Sequence, residues 1–244
     1  MPFDEDFELL SGNAPFPWQR ALFERLIKGD IPNSCDLPTG LGKTSVITIW
    51  LLAVAANPNL PRRLVYVVNR RTVVDQATAE AERLRERLQL PGAARLLAAL
   101  QAMTAVTGDH PLAISTLRGE FADNGAWRRD PSRPGIIVGT VDMIGSRLLF
   151  GGYGCGFRSR PLHAGFLGQD VMLVHDEAHL EPAFQSLLTS ISEEQARSSD
   201  FRPIRVLALS ATGRTRPKFG LTPDDMRHPV VLKRLQAQKT LGIV

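Results

Sequence analysis

The sequence predicts an α/β domain with a mostly parallel central sheet and helices on both faces. Three observations carry that prediction. Short apolar runs such as 64–68 (LVYVV), Val171–His175 (VMLVH) and 206–209 (VLAL) lack polar alternation, as strands buried on both faces do. They are separated by stretches with helical periodicity. With 244 residues, 43% hydrophobic and 22% charged, the chain can bury one generous core, and disorder is excluded as its main state.

Residues 17–28 (PWQRALFERLIK) place Trp18, Leu22, Leu26 and Ile27 on one helical stripe. A short strand precedes Pro38, and 43–56 forms a helix apolar enough to be buried. After strand 64–68 comes a charged amphipathic helix, 73–88, and then a second helix, 92–106. Strands follow at 112–117 and 136–139. Segments 120–133 and 151–161 (GGYGCGFRSRP) read as loops, the first rich in charge and turn formers, the second in glycine. The domain is expected to span 1–214. Residues 215–244 form a tail whose 229–241 stretch suits a strand start or a short amphipathic helix.

The net charge is +4, and the first ten residues hold four acids (Asp4, Glu5, Asp6, Glu8) and no base, leaving +8 on the remainder. A basic body favours an anionic partner, though weakly. Two cysteines, Cys35 and Cys155, exclude a disulfide scaffold and favour a reducing compartment. The acidic start is not a signal peptide. The longest apolar run, 46–56, is far short of the ~20 residues of a membrane span. A cytoplasmic protein without a membrane partner is expected.

In parallel sheets ligands bind beyond the carboxyl ends of the strands. There lies the first motif, Pro38-Thr39-Gly40-Leu41-Gly42-Lys43-Thr44, with Ser45 after it. Glycines let backbone N–H groups turn inward around phosphate oxygens, and the helix end adds a positive dipole. Lys43 would reach the β and γ phosphates, and Thr44 would hold Mg²⁺. Leu37 stands where the common pattern has glycine, so a Gly-rich turn before a core helix is the competing explanation. The second motif, Asp176-Glu177-Ala178-His179, follows the VMLVH strand directly. Asp176 would coordinate Mg²⁺ and Glu177 would deprotonate the attacking water, with His179 bonding across the cleft. The third is Ser210-Ala211-Thr212, where small hydroxyls can bridge the acids to whatever lies above the sheet edge. Alone it is weak, because serine and threonine often end strands.

PTGLGKT, DEAH and SAT in this order resemble motifs I, II and III of superfamily 2 helicases. That resemblance implies a RecA-like P-loop NTPase domain, ATP and Mg²⁺ as cofactors, and single-stranded DNA as partner. It puts Gln19, in PFPWQRALFERL, where the superfamily keeps an adenine-reading glutamine, with Phe16 and Trp18 packing or stacking near the base. Val67-Val68-Asn69-Arg70-Arg71-Thr72, Ser115-Thr116-Leu117-Arg118-Gly119 and Gly139-Thr140-Val141-Asp142-Met143 resemble its strand-end motifs. From these, Asn69, Arg70, Arg71, Thr116, Arg118, Gly119 and Thr140 are the expected phosphate contacts to DNA, a sequence-independent grip. The connecting phrases, among them CDLPTGLGKTSVITIWLL and LVHDEAHL, are similar to the CRISPR-associated helicase of type I systems, subtype G (formerly U). This implies recruitment by a guide-RNA surveillance complex and cooperation with an HD nuclease.

Two features depart from that pattern. About 32 residues follow Thr212, too few for the second RecA-like domain, so a fragment with little ATPase activity of its own is expected. No HD nuclease pattern occurs. His175-Asp176 belongs to the DEAH strand, and His163 reads as a loop histidine. The alternatives are a superfamily 2 translocase of a restriction or repair system, and a non-catalytic nucleotide- or nucleic-acid-binding module. A metabolic P-loop kinase would need an acceptor pocket and a lid, of which nothing is seen.

Overall fold

In the computed structural model, described for residues 2–117, 125–153, 155–210 and 219–236, the expected sheet forms. Its seven strands are β1 (Ser34–Asp36), β2 (Arg63–Val68), β3 (Ala113–Leu117), β4 (Gly135–Thr140), β5 (Val171–His175), β6 (Arg205–Ser210) and β7 (Phe219–Gly220). They lie in the order β3-β4-β2-β5-β6-β1-β7, and every pairing is parallel. β2 and β5 are buried at every position, which is why their sequences show no alternation.

The helices are α1 (Phe3–Ser11), α2 (Pro17–Ile27), α3 (Val46–Ala56), α4 (Arg71–Arg87), α5 (Ala94–Gln101), α6 (Val141–Leu148), α7 (Arg160–Gly168), α8 (Pro182–Arg197) and α9 (Pro229–Gln236). α1 to α5 pack on one face of the sheet around Trp18, Trp50 and Tyr66. α6 to α8 cover the other around Leu167, Leu173 and Leu188. This is the three-layer architecture of a RecA-like P-loop NTPase domain.

Several boundaries differ from expectation for identifiable reasons. The helix over 43–56 opens as a 3-10 turn, Lys43–Ser45, before α3. The helix expected over 92–106 is α5 alone, because Asp130 Oδ2 takes the N–H groups of Ala105 and Val106 from a distant loop. His163 is not in a loop. It sits inside α7, 3% exposed, with Nδ1 3.0 Å from Cys155 Sγ and Nε2 3.0 Å from Arg128 Nη1.

The acidic start is a helix. Phe3, Phe7 and Leu10 share its buried stripe, Phe3 stacks on Phe23 at 4.5 Å, and Gly12 ends it at φ 78°. Asp6 pairs with Arg95 at 2.6 Å and Asp4 with Arg20 at 2.5 Å, so part of the negative charge is spent on the lobe's own arginines.

The tail folds back. β7 extends the sheet beside β1, and Asp225, fully buried, accepts a hydrogen bond from the backbone N of Trp18 (3.1 Å) at the start of α2. Among the described residues no helix is long and apolar enough to cross a membrane.

Candidate functional site

The loop between β1 and α3 holds Gly40 and Gly42 at φ 88° and 76°, a left-handed backbone that side chains resist. A Cβ built on Gly40 would meet open space, so the glycine is there for its backbone and for room above it. Leu41 between them is fully buried and anchors the loop from below. Such alternating turns direct N–H groups into a concavity suited to an anion.

Lys43 closes the loop with a side chain only 8% exposed, its ammonium ion-paired to Glu177 Oε1 at 2.7 Å. The two motifs are 134 positions apart in sequence and meet because β1, β6 and β5 are neighbours in the sheet. Glu177 sits at φ 51°, uncommon for a side chain of its size, where the chain turns sharply off β5. Its other oxygen, Oε2, is 3.5 Å from His179 Nδ1, which lies 3.4 Å from Ser210 Oγ at the end of β6. Motifs one, two and the first residue of three are thus joined as Lys43, Glu177, His179 and Ser210. Thr212 lies outside the described residues.

Asp176 is held from beneath by a residue that sequence reasoning missed. Tyr66, fully buried in β2, donates its hydroxyl to Asp176 Oδ2 at 2.9 Å and also hydrogen-bonds the Thr44 side chain. Burial, and then the neighbouring Asp176 charge, pushes the Tyr66 phenol well above its ordinary range. Burial raises the Asp176 carboxyl as well, opposed by the Tyr66 hydrogen bond and by Lys43. A tyrosine inside an otherwise apolar strand was the only signal, and it reads equally as core.

Gln19, 4% exposed, ties α2 to the loop. Its Oε1 accepts from Phe16 N and its Nε2 donates to Ser45 Oγ, both at 2.7 Å, while Ser45 Oγ donates to Gly42 O at 2.7 Å. One amide proton and one carbonyl lone pair of Gln19 have no contact among these. Phe16 is half-buried beside them. Trp18 is wholly buried in the core, so packing is its role rather than stacking on a base.

The expected nucleic-acid residues fall on the other half of the same edge, at the ends of β2, β3 and β4. Arg70 and Arg71 are exposed at the start of α4. Thr116 Oγ1 lies 3.0 Å from Thr78 Oγ1, and Thr140 Oγ1 caps α6 by accepting from Met143 N at 3.4 Å. Both hydroxyls therefore already serve the fold. Arg118 and Gly119 lie outside the described residues.

Asn69 sits at the join between the halves. It lines a cavity of about 250 Å³ together with Arg70, Asp176, Glu177 and Leu180, and neither polar atom of its buried amide has a partner. A larger cavity of about 650 Å³ lies at the opposite edge of the sheet. Two of its three arginines are committed to structure, since Arg63 donates to the carbonyls of Phe166, Pro131 and Gln169, and Arg202 to Asp170.

Among the described residues no group of three or more His, Cys, Asp or Glu side chains could hold a metal ion. The donors available near the acids are Asp176 and the Thr44 hydroxyl, a set that fits a magnesium ion completing its shell with water and phosphate oxygens.

A family model described as the type III restriction enzyme, res subunit, matches residues 13–214. The chain belongs to this family. Comparison with curated proteins finds no sequence match. Among solved structures, the chain is similar in fold to the Pyrococcus furiosus Hef helicase domain (TM-score 0.51, 19% identity, 87% of this chain and 39% of that one). It is similar also to the DUF1998 helicase MrfA bound to DNA (0.57, 16%, 90% and 28%) and to the Mycobacterium smegmatis helicase Lhr bound to ssDNA and AMP-PNP (0.55, 17%, 91% and 28%). The chain thus spans well under half the length of each of those three. Its fold is that of a superfamily 2 helicase-type ATPase domain. The narrower expectation, a CRISPR-associated helicase of subtype G with a guide-RNA complex and an HD nuclease, finds no support in the res-subunit family or in these three structures.

Proposed function

We propose that this res-subunit chain is the ATP-binding lobe of a superfamily 2 translocase of the restriction or repair kind, acting on single-stranded DNA. The observation that carries the reading is the 2.7 Å Lys43–Glu177 pair, which connects the glycine cradle after β1 to the acid pair after β5, one strand away across β6. A non-catalytic binding module has no use for that pairing of a phosphate-seeking cation with a general base.

When bound, Mg²⁺–ATP supplies a phosphoanhydride bond primed for attack by water. The chain does the positioning. The N–H groups around Gly40 and Gly42 orient the phosphates, and Lys43 leaves Glu177 to neutralise their charge. Thr44 and Asp176 would hold the metal, with Tyr66 fixing the Asp176 rotamer. Glu177, freed from Lys43, takes the proton of the attacking water on a carboxylate oxygen. His179 then couples the state of Glu177 to Ser210, and Asn69 couples it to Arg70 and Arg71 on the DNA half of the edge. A second RecA-like domain would add the arginines that stabilise transferring phosphate, a contribution of ~10³–10⁵ in rate in comparable enzymes.

The test is nucleotide binding measured by calorimetry on the chain and on Lys43→Ala. Loss of at least tenfold in affinity supports the loop assignment. Equal affinity for ATP in the two proteins would refute it.

A further inference from the structure

The tail helix reaches the site. Arg234 of α9 donates from Nη1 to the carbonyl of Gly40 at 2.8 Å, and its guanidinium lies over the face of Phe16, 5.1 Å from the ring centroid. His228, just before α9, meets the same ring edge-on at 5.5 Å. The anchor that brings α9 here is the buried Asp225, which takes N–H bonds from Trp18 and Thr222. One face of Phe16 is therefore covered by a residue more than two hundred positions away. That residue also touches the glycine loop, whose partner Ser45 holds Gln19.

We infer that Arg234 and Phe16 form the two jaws of a purine-base pocket, so that the base is held by a segment outside the three helicase motifs. The inference rests on the nucleotide reading above and adds to it the residue that selects for the base. A flat guanidinium and an aromatic ring are both good stacking surfaces for a heteroaromatic base. A base lying between them needs two stacking distances of about 3.5 Å, so the gap must open from 5.1 Å to about 7 Å. Arg234 is exposed and is tied to Gly40 by a single carbonyl bond, so a shift of about 2 Å asks only for a change of rotamer. Opening releases the Gly40 carbonyl at the moment the loop receives phosphate. Gln19, bonded to Phe16 N through Oε1 and to Ser45 Oγ through Nε2, keeps one amide proton and one lone pair outside these bonds. The pocket suits purine over pyrimidine nucleotides, since a two-ring base covers more of both jaws.

The experiment measures ATP and inorganic tripolyphosphate affinity, at fixed magnesium and salt, for the wild-type chain, Arg234→Ala and Arg234→Lys. Arg234→Ala should weaken ATP roughly 3- to 20-fold and leave tripolyphosphate within about twofold. Arg234→Lys should restore little, because an ammonium keeps the charge but not the plane. Equal losses on both ligands, no loss, or tighter ATP binding would overturn the inference; the last would make Arg234 a latch that excludes the base. If the wild type binds tripolyphosphate as tightly as ATP, the phosphate loop stands and the base pocket falls. If it binds neither, the nucleotide reading fails and takes this inference with it.

Discussion

Replacing Glu177 by glutamine is expected to tighten the hold on a triphosphate while ending its hydrolysis. Lys43 Nζ and Glu177 Oε1 are 2.7 Å apart, with side chains 8% and 31% exposed. At an effective dielectric of about 20 the gross attraction at that separation is about 6 kcal/mol. Desolvation of the ammonium offsets most of it. Fully exposed pairs net about 0–1 kcal/mol, and breaking fully buried ones costs about 3–5 kcal/mol. A pair buried at one end falls between, at about 1–2 kcal/mol. Any phosphate that takes Lys43 must overcome that, and it must also face the Glu177 charge. Glutamine keeps the shape and leaves Lys43 a weaker neutral acceptor. Affinity for ATP should therefore rise roughly 5- to 30-fold, with the lower end favoured by the residual hydrogen bond. Calorimetric titration of the variant and wild type with ATP at constant magnesium and ionic strength reads this directly. Unchanged or weaker binding would mean that Glu177 does not compete with phosphate for Lys43. The mechanism built on that exchange would then be wrong.

Two further outcomes follow from groups buried near the site. Tyr66→Phe removes the hydroxyl that donates to Asp176 Oδ2, and a hydrogen bond to a buried carboxylate is worth about 1–3 kcal/mol. The unfolding free energy should fall by that amount, read as a lower urea midpoint at unchanged slope, and an unmoved midpoint would put Asp176 in water's hands instead. Burial, then the Asp36 charge, pushes the Cys35 thiol from 9.0 up to about 12. Its folded form prefers the proton, so the associated stability is complete below about pH 9 and is lost as pH rises toward 12. Cys35→Ala should flatten the alkaline arm of a stability–pH curve. A thiol reagent at pH 8 should label Cys155, which is part-exposed, and spare Cys35 until the chain unfolds. Labelling of both at one rate would contradict the burial.

Much of the candidate site was legible because its chemistry is local. Glycines at 40 and 42, Lys43, and the acids after β5 stand beyond strand ends; the apolar run of β5 marks the acids' end, while the short polar β1 leaves the glycine pattern itself as the mark of the other. α1 escaped notice because its buried stripe is three residues long and its four acids read as charge rather than as a helix face. Thr116 and Thr140 read as phosphate contacts, and each hydroxyl also has a partner within the fold, which pattern alone does not reveal. Tyr66 was hidden in an apolar strand, where one hydroxyl changes neither period nor hydrophobicity.

The sequence by itself determined the parallel three-layer fold, the order of its motifs, and the residue types that meet a phosphate and a metal. Burial and turn chemistry act over a few neighbours, so a string of residues carries them. Only the tertiary structure decided which of those residues touch. The strand order sets β5, β6 and β1 side by side and so joins Lys43 to Glu177, and it sets β3, β4 and β2 apart as a second half-edge. It also carries Arg234 back to Gly40, across 194 positions of chain, and to Phe16. Contacts of that reach depend on the path of the whole backbone, and no local pattern in the sequence records it.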